Sequence, residues 1–205
     1  MTRGRRGHSV AGVLPFALAL FGLAAAPEPV PSPGVVRVLI QTSRGEILVE
    51  VDAGHAPSTA ANFLRYVDGG FYDGGRFHRT VRPDNQPADR VVIGAIQAGI
   101  SPGRAREGFP AIALERTSVT GLRHRDGVIS MARDGPDTAT SDFFICVGDQ
   151  PELDYGGKRN PDGQGFAAFG RVVRGQAVVR RIQGAPADGQ HLTPPILIRS
   201  ARRLP

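Results

Sequence analysis

Ser130-Met131-Ala132-Arg133-Asp134-Gly135-Pro136 runs into Ser141-Asp142-Phe143-Phe144-Ile145-Cys146, and these two stretches decide how the chain reads. The first is a short apolar strand that breaks at a Gly-Pro turn. The second is a continuous apolar strand in which Asp142, Phe144 and Cys146 share one face. Upstream, Phe77-His78-Arg79 is followed by Gln97-Ala98-Gly99. Together these fragments gather one arginine, a glutamine, a backbone turn and an apolar strand. They contain no activated nucleophile, no paired carboxylates and no metal-ligand spacing. Such a set suits chemistry in which no bond is cleaved.

Strand signals continue in both directions. Val35–Ile40 and Ile47–Val51 flank Thr42-Ser43-Arg44-Gly45, which predicts a tight hairpin. Further strands are expected at Arg76–Val81, Val91–Ala98, Gly127–Ala132, Asp142–Val147, Ala167–Val173 and Ile196–Ala201. Pro57 to Val67 predicts a helix, because Ala60, Phe63, Leu64 and Val67 follow the i, i+3, i+4, i+7 spacing. Pro57 suits its first turn and Gly69-Gly70 its end. A second short helix is expected over Gln176 to Ile182. Two helices and about eight short strands predict a mainly β fold, a closed antiparallel β-barrel capped by the helices. Two polar loops rich in Gly, Pro or Asn interrupt it, at Arg82–Arg90 and Tyr155–Gly165.

Composition bounds the rest. A chain of 205 residues with 40% hydrophobic and 21% charged residues is long and apolar enough for one packed domain plus appendages. The formal charge is +6, but Arg3, Arg5 and Arg6 contribute half of it. The remaining excess is weak and carries no interleaved aromatics, so no nucleic-acid partner is expected. Those arginines precede an uncharged, mostly apolar run from Val10 and the triplet Ala24-Ala25-Ala26. Residues 1–26 therefore predict a secretory signal cleaved near Ala26, and an exported, periplasmic protein. An uncleaved run would instead tether it to the membrane. Pro27–Gly34 holds four prolines and reads as a stiff linker, leaving 35–205 as the folded domain. Cys146 is the one cysteine, so no intramolecular disulfide forms. Its apolar neighbours predict a buried, inert thiol.

Individual residues carry alternatives. On regular strand alternation, Phe77 and Arg79 share a face and His78 takes the other. Arg79 is then either a site residue or a salt-bridged strand residue. Gln97 is either a substrate contact or a polar strand end. Phe144 is either a pocket floor or core. Asp134, Asp137 and Asp142 mimic a calcium loop but lack its spacing and its final glutamate. His78, His124 and His191 lack metal spacing, and Ser130 and Ser141 lack the turn that exposes a nucleophilic serine.

The motifs, taken in order, resemble the cyclophilin family of peptidyl-prolyl cis-trans isomerases. The matching residues are Phe77-His78-Arg79, Gln97-Ala98-Gly99, Ser130-Met131-Ala132, Gly135-Pro136, Ser141-Asp142-Phe143-Phe144-Ile145, Leu153-Asp154 and Phe169-Gly170-Arg171-Val172. The resemblance implies that Arg79 is catalytic and that Phe77, Gln97, Ala132, Arg133, Phe144 and Leu153 bind substrate. It implies that Phe166 replaces the family's pocket histidine, which the Tyr155–Gly165 insertion displaces. No cofactor or metal is implied. The implied partners are proline-containing unfolded or nascent exported polypeptides, bound by a monomer.

The implied reaction suits these residues. Rotation about an amide C–N bond crosses a barrier of about 18–20 kcal/mol, because resonance holds the bond planar. A catalyst must bind the twisted amide better than either planar form. A fixed guanidinium beside a dry pocket for the proline ring can do so. Further departures from the family pattern bear on the site. The segment between Arg79 and Gln97 is longer, the usual apolar pair is Gly94-Ala95, and the usual glutamine before Phe-Phe is Asp142. Glu152 stands where many members carry tryptophan. A groove altered in this way could hold proline peptides without turning them over, which is the alternative to an enzyme.

Overall fold

The computed structural model describes residues 1–2, 34–86 and 91–205. The barrel lies within the compact unit that ends at Pro205. The expected signal segment and nearly all of the proline-rich linker lie outside the described residues. So do residues 87–90 of the Arg82–Arg90 loop.

Among the described residues, nine strands form one sheet: β1 Val35–Thr42, β2 Gly45–Asp52, β3 Arg76–Val81, β4 Ala95–Gly99, β5 Val128–Met131, β6 Phe143–Cys146, β7 Ala167–Arg174, β8 Ala187–Asp188 and β9 His191–Arg203. Their spatial order is β1-β2-β7-β5-β6-β4-β3-β9-β8, and β1 also pairs with β9. Eight strands thus close on themselves, every pairing antiparallel, while β8 adds a short hairpin to β9. Closure leaves these eight described strands no long open edge for another chain to pair with.

The β1–β2 hairpin turns through Ser43-Arg44, with Thr42 opposite Gly45. Gly45 has φ +127°, a conformation that side chains disfavour, and a Cβ there would meet Val178 at 2.9 Å. Val38, Ile40, Ile47, Val49 and Val51 point inward and are fully or almost fully buried. Helix α1, Pro57–Asp68, lays Ala60, Phe63, Leu64 and Val67 on the barrel. Glu115 accepts the N–H groups of Ser58 and Thr59 at its start, satisfying donors that the helix leaves unpaired. A single helical turn, α2, spans Thr117–Thr120, and α3, Gln176–Gln183, buries Val178, Val179 and Ile182. Phe63, Tyr72, Phe143 and Phe169 meet edge-on or tilted inside, with ring centroids 5.1 to 5.5 Å apart.

The sequence does not predict the short strand β8, and two others begin several residues away from where it places them. β4 begins at Ala95 rather than Val91. The Gln86 side chain instead bonds the main chain of Ile93 through both its N–H and its C=O, drawing that stretch into the preceding loop. β9 begins at His191, although Pro194-Pro195 reads as a break. The prolines fall where the β3–β9 register shifts, between the His191 and Ile196 pairings, so the sheet loses little to their missing N–H groups.

Candidate active site

Among the described residues, the buried apolar side chains form two clusters. One fills the barrel. The other, comprising Val81, Ile93, Ala95, Phe144, Cys146 and Leu153 with Ala132 and Phe166 against it, lies on the outer face. Strand β6 divides its side chains between them. Phe143 and Ile145 enter the barrel, while Phe144 and Cys146 enter the outer cluster. Cys146 is completely buried there, and burial, followed by the charges of Asp154, Asp126 and Asp149, pushes its thiol far above the ordinary range. It is inert, as its sequence context predicts.

Above the outer cluster opens a cleft of about 460 Å³. Phe144, Leu153 and Phe166 make its apolar floor, and the Phe144 and Phe166 rings meet edge-on at 5.2 Å. Phe166 is fixed by its N–H, which donates to the Leu153 carbonyl. Val81, Ile93 and Ala95 supply the adjoining wall. Ile93 offsets the apolar bulk that Gly94-Ala95 lacks. A Cβ on Gly94 would collide with the Val147 carbonyl.

Arg79 lines this cleft. Its Nε and Nη2 donate to Gln190 Oε1 at 2.9 and 2.6 Å, and its Nη1 donates to Gln97 Oε1 at 3.1 Å. Both partners are neutral, so among the described residues the guanidinium has no paired carboxylate and keeps its charge. Burial lowers its pKa somewhat, but a guanidinium stays protonated at any working pH. Of its five N–H donors, the described residues engage three, leaving one on Nη1 and one on Nη2.

Gln97 is itself held from both ends, because its Nε2 donates to Asp142 Oδ2 at 3.2 Å. Gly99 lets that carboxylate lie close, since a Cβ there would clash with Asp142 Oδ1. Burial raises the pKa of Asp142, and Asp134 adds to this, against the opposing effects of His78 and the Gln97 hydrogen bond. Ala132 and Arg133 line the cleft as well. The Ala132 N–H is taken by the Asp142 carbonyl, so a substrate contact from Ala132 has to come from its own carbonyl. The Arg133 side chain is committed elsewhere, to Asp162 and to the Gly165 carbonyl.

Phe77 is the correction. Its ring is 0% exposed and packs in the barrel core against Phe143, so it cannot touch a substrate. The expected shared face fails because β3 bulges: Phe77 pairs with Ala98 and Arg79 with Gln97, leaving His78 as an extra residue. The bulge reverses the alternation and turns Arg79 outward. It also bears on His78, expected on the face away from Arg79: its Nε2 lies 3.7 Å from Oδ2 of Asp142, which itself lines the cleft.

Three groups escape sequence reasoning. Gln190 holds Arg79 from a hairpin 111 residues away, and no local pattern marks it. Arg159 donates to Gln86 Oε1 and to the Val91 carbonyl, so the two expected loops brace each other beside the cleft. His124, 1% exposed, binds Asp154 Oδ1 through Nδ1 at 2.8 Å and Ser130 Oγ through Nε2 at 3.0 Å. Its ring stacks on Phe144 at 6.0 Å, supporting the cleft floor from beneath. Ser130 is fully buried, so this Asp–His–Ser set is a structural brace and not a nucleophile.

Comparison with known proteins agrees with this geometry. The family model for cyclophilin type peptidyl-prolyl cis-trans isomerase/CLD matches residues 37–203. A peptidyl-prolyl cis-trans isomerase of Streptomyces antibioticus is 36% identical over 173 residues, covering 82% of this chain and 98% of the relative. Peptidyl-prolyl cis-trans isomerase A of Dickeya dadantii is 36% identical over 171 residues, covering 80% and 83%. Peptidyl-prolyl cis-trans isomerase B of Escherichia coli is 31% identical over 157 residues, covering 75% and 89%. The crystal structure of a Cryptosporidium parvum cyclophilin type isomerase superposes with a TM-score of 0.67 at 23% identity, over 83% of this chain and 98% of that one. The same protein has been crystallised in the presence of the dipeptide Ala-Pro. The barrel, the ordered motifs and the match across nearly the whole described domain lead to one conclusion: the chain belongs to the cyclophilin-type peptidyl-prolyl cis-trans isomerases and is an enzyme of that activity.

Proposed function

We propose that Arg79 is the catalytic residue and that Phe144, Leu153 and Phe166 hold the proline ring of an X–Pro segment. The observation that carries this reading is the state of the Arg79 guanidinium. It is charged, anchored by two neutral amides, and left with two N–H donors beside an apolar floor. When the X–Pro bond twists, conjugation is lost, and the nitrogen becomes pyramidal and regains its lone pair. An N–H of Arg79 can donate to that lone pair, an interaction absent from both planar forms and therefore one that accelerates the rotation. The apolar surroundings keep water from screening it. No proton need leave Arg79 and no covalent bond breaks. Gln97 holds the guanidinium on one side, and the Ala132 carbonyl is available to the substrate backbone.

The substrates we assign are proline-containing segments of unfolded or newly exported chains, in which X–Pro exchange takes roughly tens to hundreds of seconds uncatalysed and can limit folding. Export is supported by the basic start, apolar run and Ala24-Ala25-Ala26 triplet of the sequence. The Ala-Pro dipeptide present with a structure of the same fold belongs to the ligand class assigned here. The assignment is tested by titrating an Ala-Pro peptide into labelled protein. Shifts centred on Phe144, Leu153 and Phe166 are expected. Shifts confined to another face of the barrel would remove the assignment.

A further inference from the structure

We propose that Gln190 is a positioning residue for catalysis: it fixes the Arg79 guanidinium, and the loop that begins at Arg82 serves to fix Gln190. The inference rests on the reading of Arg79 given above. Gln190 Oε1 accepts from both Nε and Nη2 of Arg79, a forked contact that sets both the position and the plane of the guanidinium. The Gln97 bond to Nη1 alone would leave it free to pivot.

A glutamine amide can flip, and a flipped Gln190 would turn its NH2 toward the arginine and repel it. The Arg82 loop prevents this. Gln190 Nε2 donates to the Asn85 carbonyl at 3.2 Å, so the flipped state would oppose two oxygens at one end and two sets of donors at the other. Asn85 is held in turn. Its Nδ2 donates to the carbonyls of Thr80 and Gly189, and its Oδ1 accepts the Arg82 N–H. The main chain of Gln190 is also anchored, because its carbonyl accepts the Thr80 N–H. The loop thus bonds to both sides of Arg79, at strand β3 and at the β8–β9 turn. A carboxylate in place of Gln190 would hold the arginine equally well but cancel its charge. An amide holds it and leaves the charge for the substrate.

The test compares the full chain with its Gln190→Met variant, which keeps the size of the side chain and removes the acceptor. Turnover of an Ala-Pro peptide is expected to fall by roughly tenfold or more, as displacement of a reacting group does, through kcat with KM nearly unchanged. The melting temperature should stay parental, and the Arg79 Nε–H resonance should shift and exchange faster with water. Asn85→Ala should move turnover and resonance in the same direction by less, and it serves if the methionine variant fails to fold. Parental turnover in Gln190→Met, or lost turnover with an unmoved Arg79 Nε–H signal, overturns the proposal. Arg79→Ala separates the two readings. If it is inactive while Gln190→Met is fully active, only the role of Gln190 fails. If Arg79→Ala is itself fully active, the role assigned to Arg79 fails.

Discussion

Phe77 and Arg79 stand two residues apart on one strand and face opposite sides of the barrel wall, because His78 is an extra residue opposite the Ala98–Gln97 step. The barrel core and the cleft are therefore served by neighbouring side chains with separate tasks. A strand without the bulge would send both inward, burying a guanidinium among aromatic rings at a cost no local hydrogen bond could offset.

That separation predicts a contrast between two phenylalanines. Phe77→Leu should cost about 1 kcal/mol of stability, as a modest core mismatch does, and leave the kcat/KM of the folded protein unchanged. Phe144→Ala should lower kcat/KM by roughly tenfold, since the proline ring loses the surface that orients it. Urea melts and exchange kinetics on the two variants check this.

The buried His124 predicts an acid-dependent brace. Burial by itself would raise the pKa of Asp154, but hydrogen bonds from the His124 side chain and backbone, with the charges of His124 and Arg123, outweigh it and hold it below the usual range. A carboxylate whose folded pKa is lowered contributes stability above its unfolded value, near about 4, and loses it as pH falls through the folded value. Asp154→Asn should thus cost about 1–3 kcal/mol at neutral pH. The gap between parent and variant should close on acidification below pH of about 4. A pH series of urea melts would show it, and a gap independent of pH would contradict it.

Asp142 should behave in the opposite sense. Its pKa is raised, chiefly by burial. Its contribution is therefore full below the unfolded value and is lost as pH rises through the raised folded value. Asp142→Asn should be the more stable form at neutral pH and lose that advantage in acid. Melting temperatures of the two proteins compared from pH 3 to pH 7, roughly the span around a carboxylate's usual range, give the answer.

Much of the fold is legible because its signals are local. The alternation of Ile47, Val49 and Val51, the spacing of Ala60, Phe63, Leu64 and Val67, and the Thr42–Gly45 turn each state their own structure. The floor of the cleft is legible for the same reason, since Asp142, Phe144 and Cys146 alternate on one short strand. The bulge at His78 is not. An extra residue leaves the composition of a strand unchanged and is revealed by the register of its partner alone. Nor is Gln190, whose meaning depends on Arg79 being brought to it by barrel closure from 111 residues away. His124 could have been suspected, because Leu153-Asp154 and Ser130-Met131-Ala132 are both motif positions, but nothing in the sequence says that one histidine joins them.

The central claim is that the Arg79 guanidinium stabilises the twisted amide. The most direct test measures cis-to-trans exchange of an Ala-Pro peptide with the full chain and with Arg79→Ala. The account predicts that the parent accelerates exchange and that the variant, still folded, loses about 10² to 10³ of kcat/KM, as removal of a preorganised transition-state donor does. Equal acceleration by both proteins would contradict it and would place the catalytic contact elsewhere in the cleft.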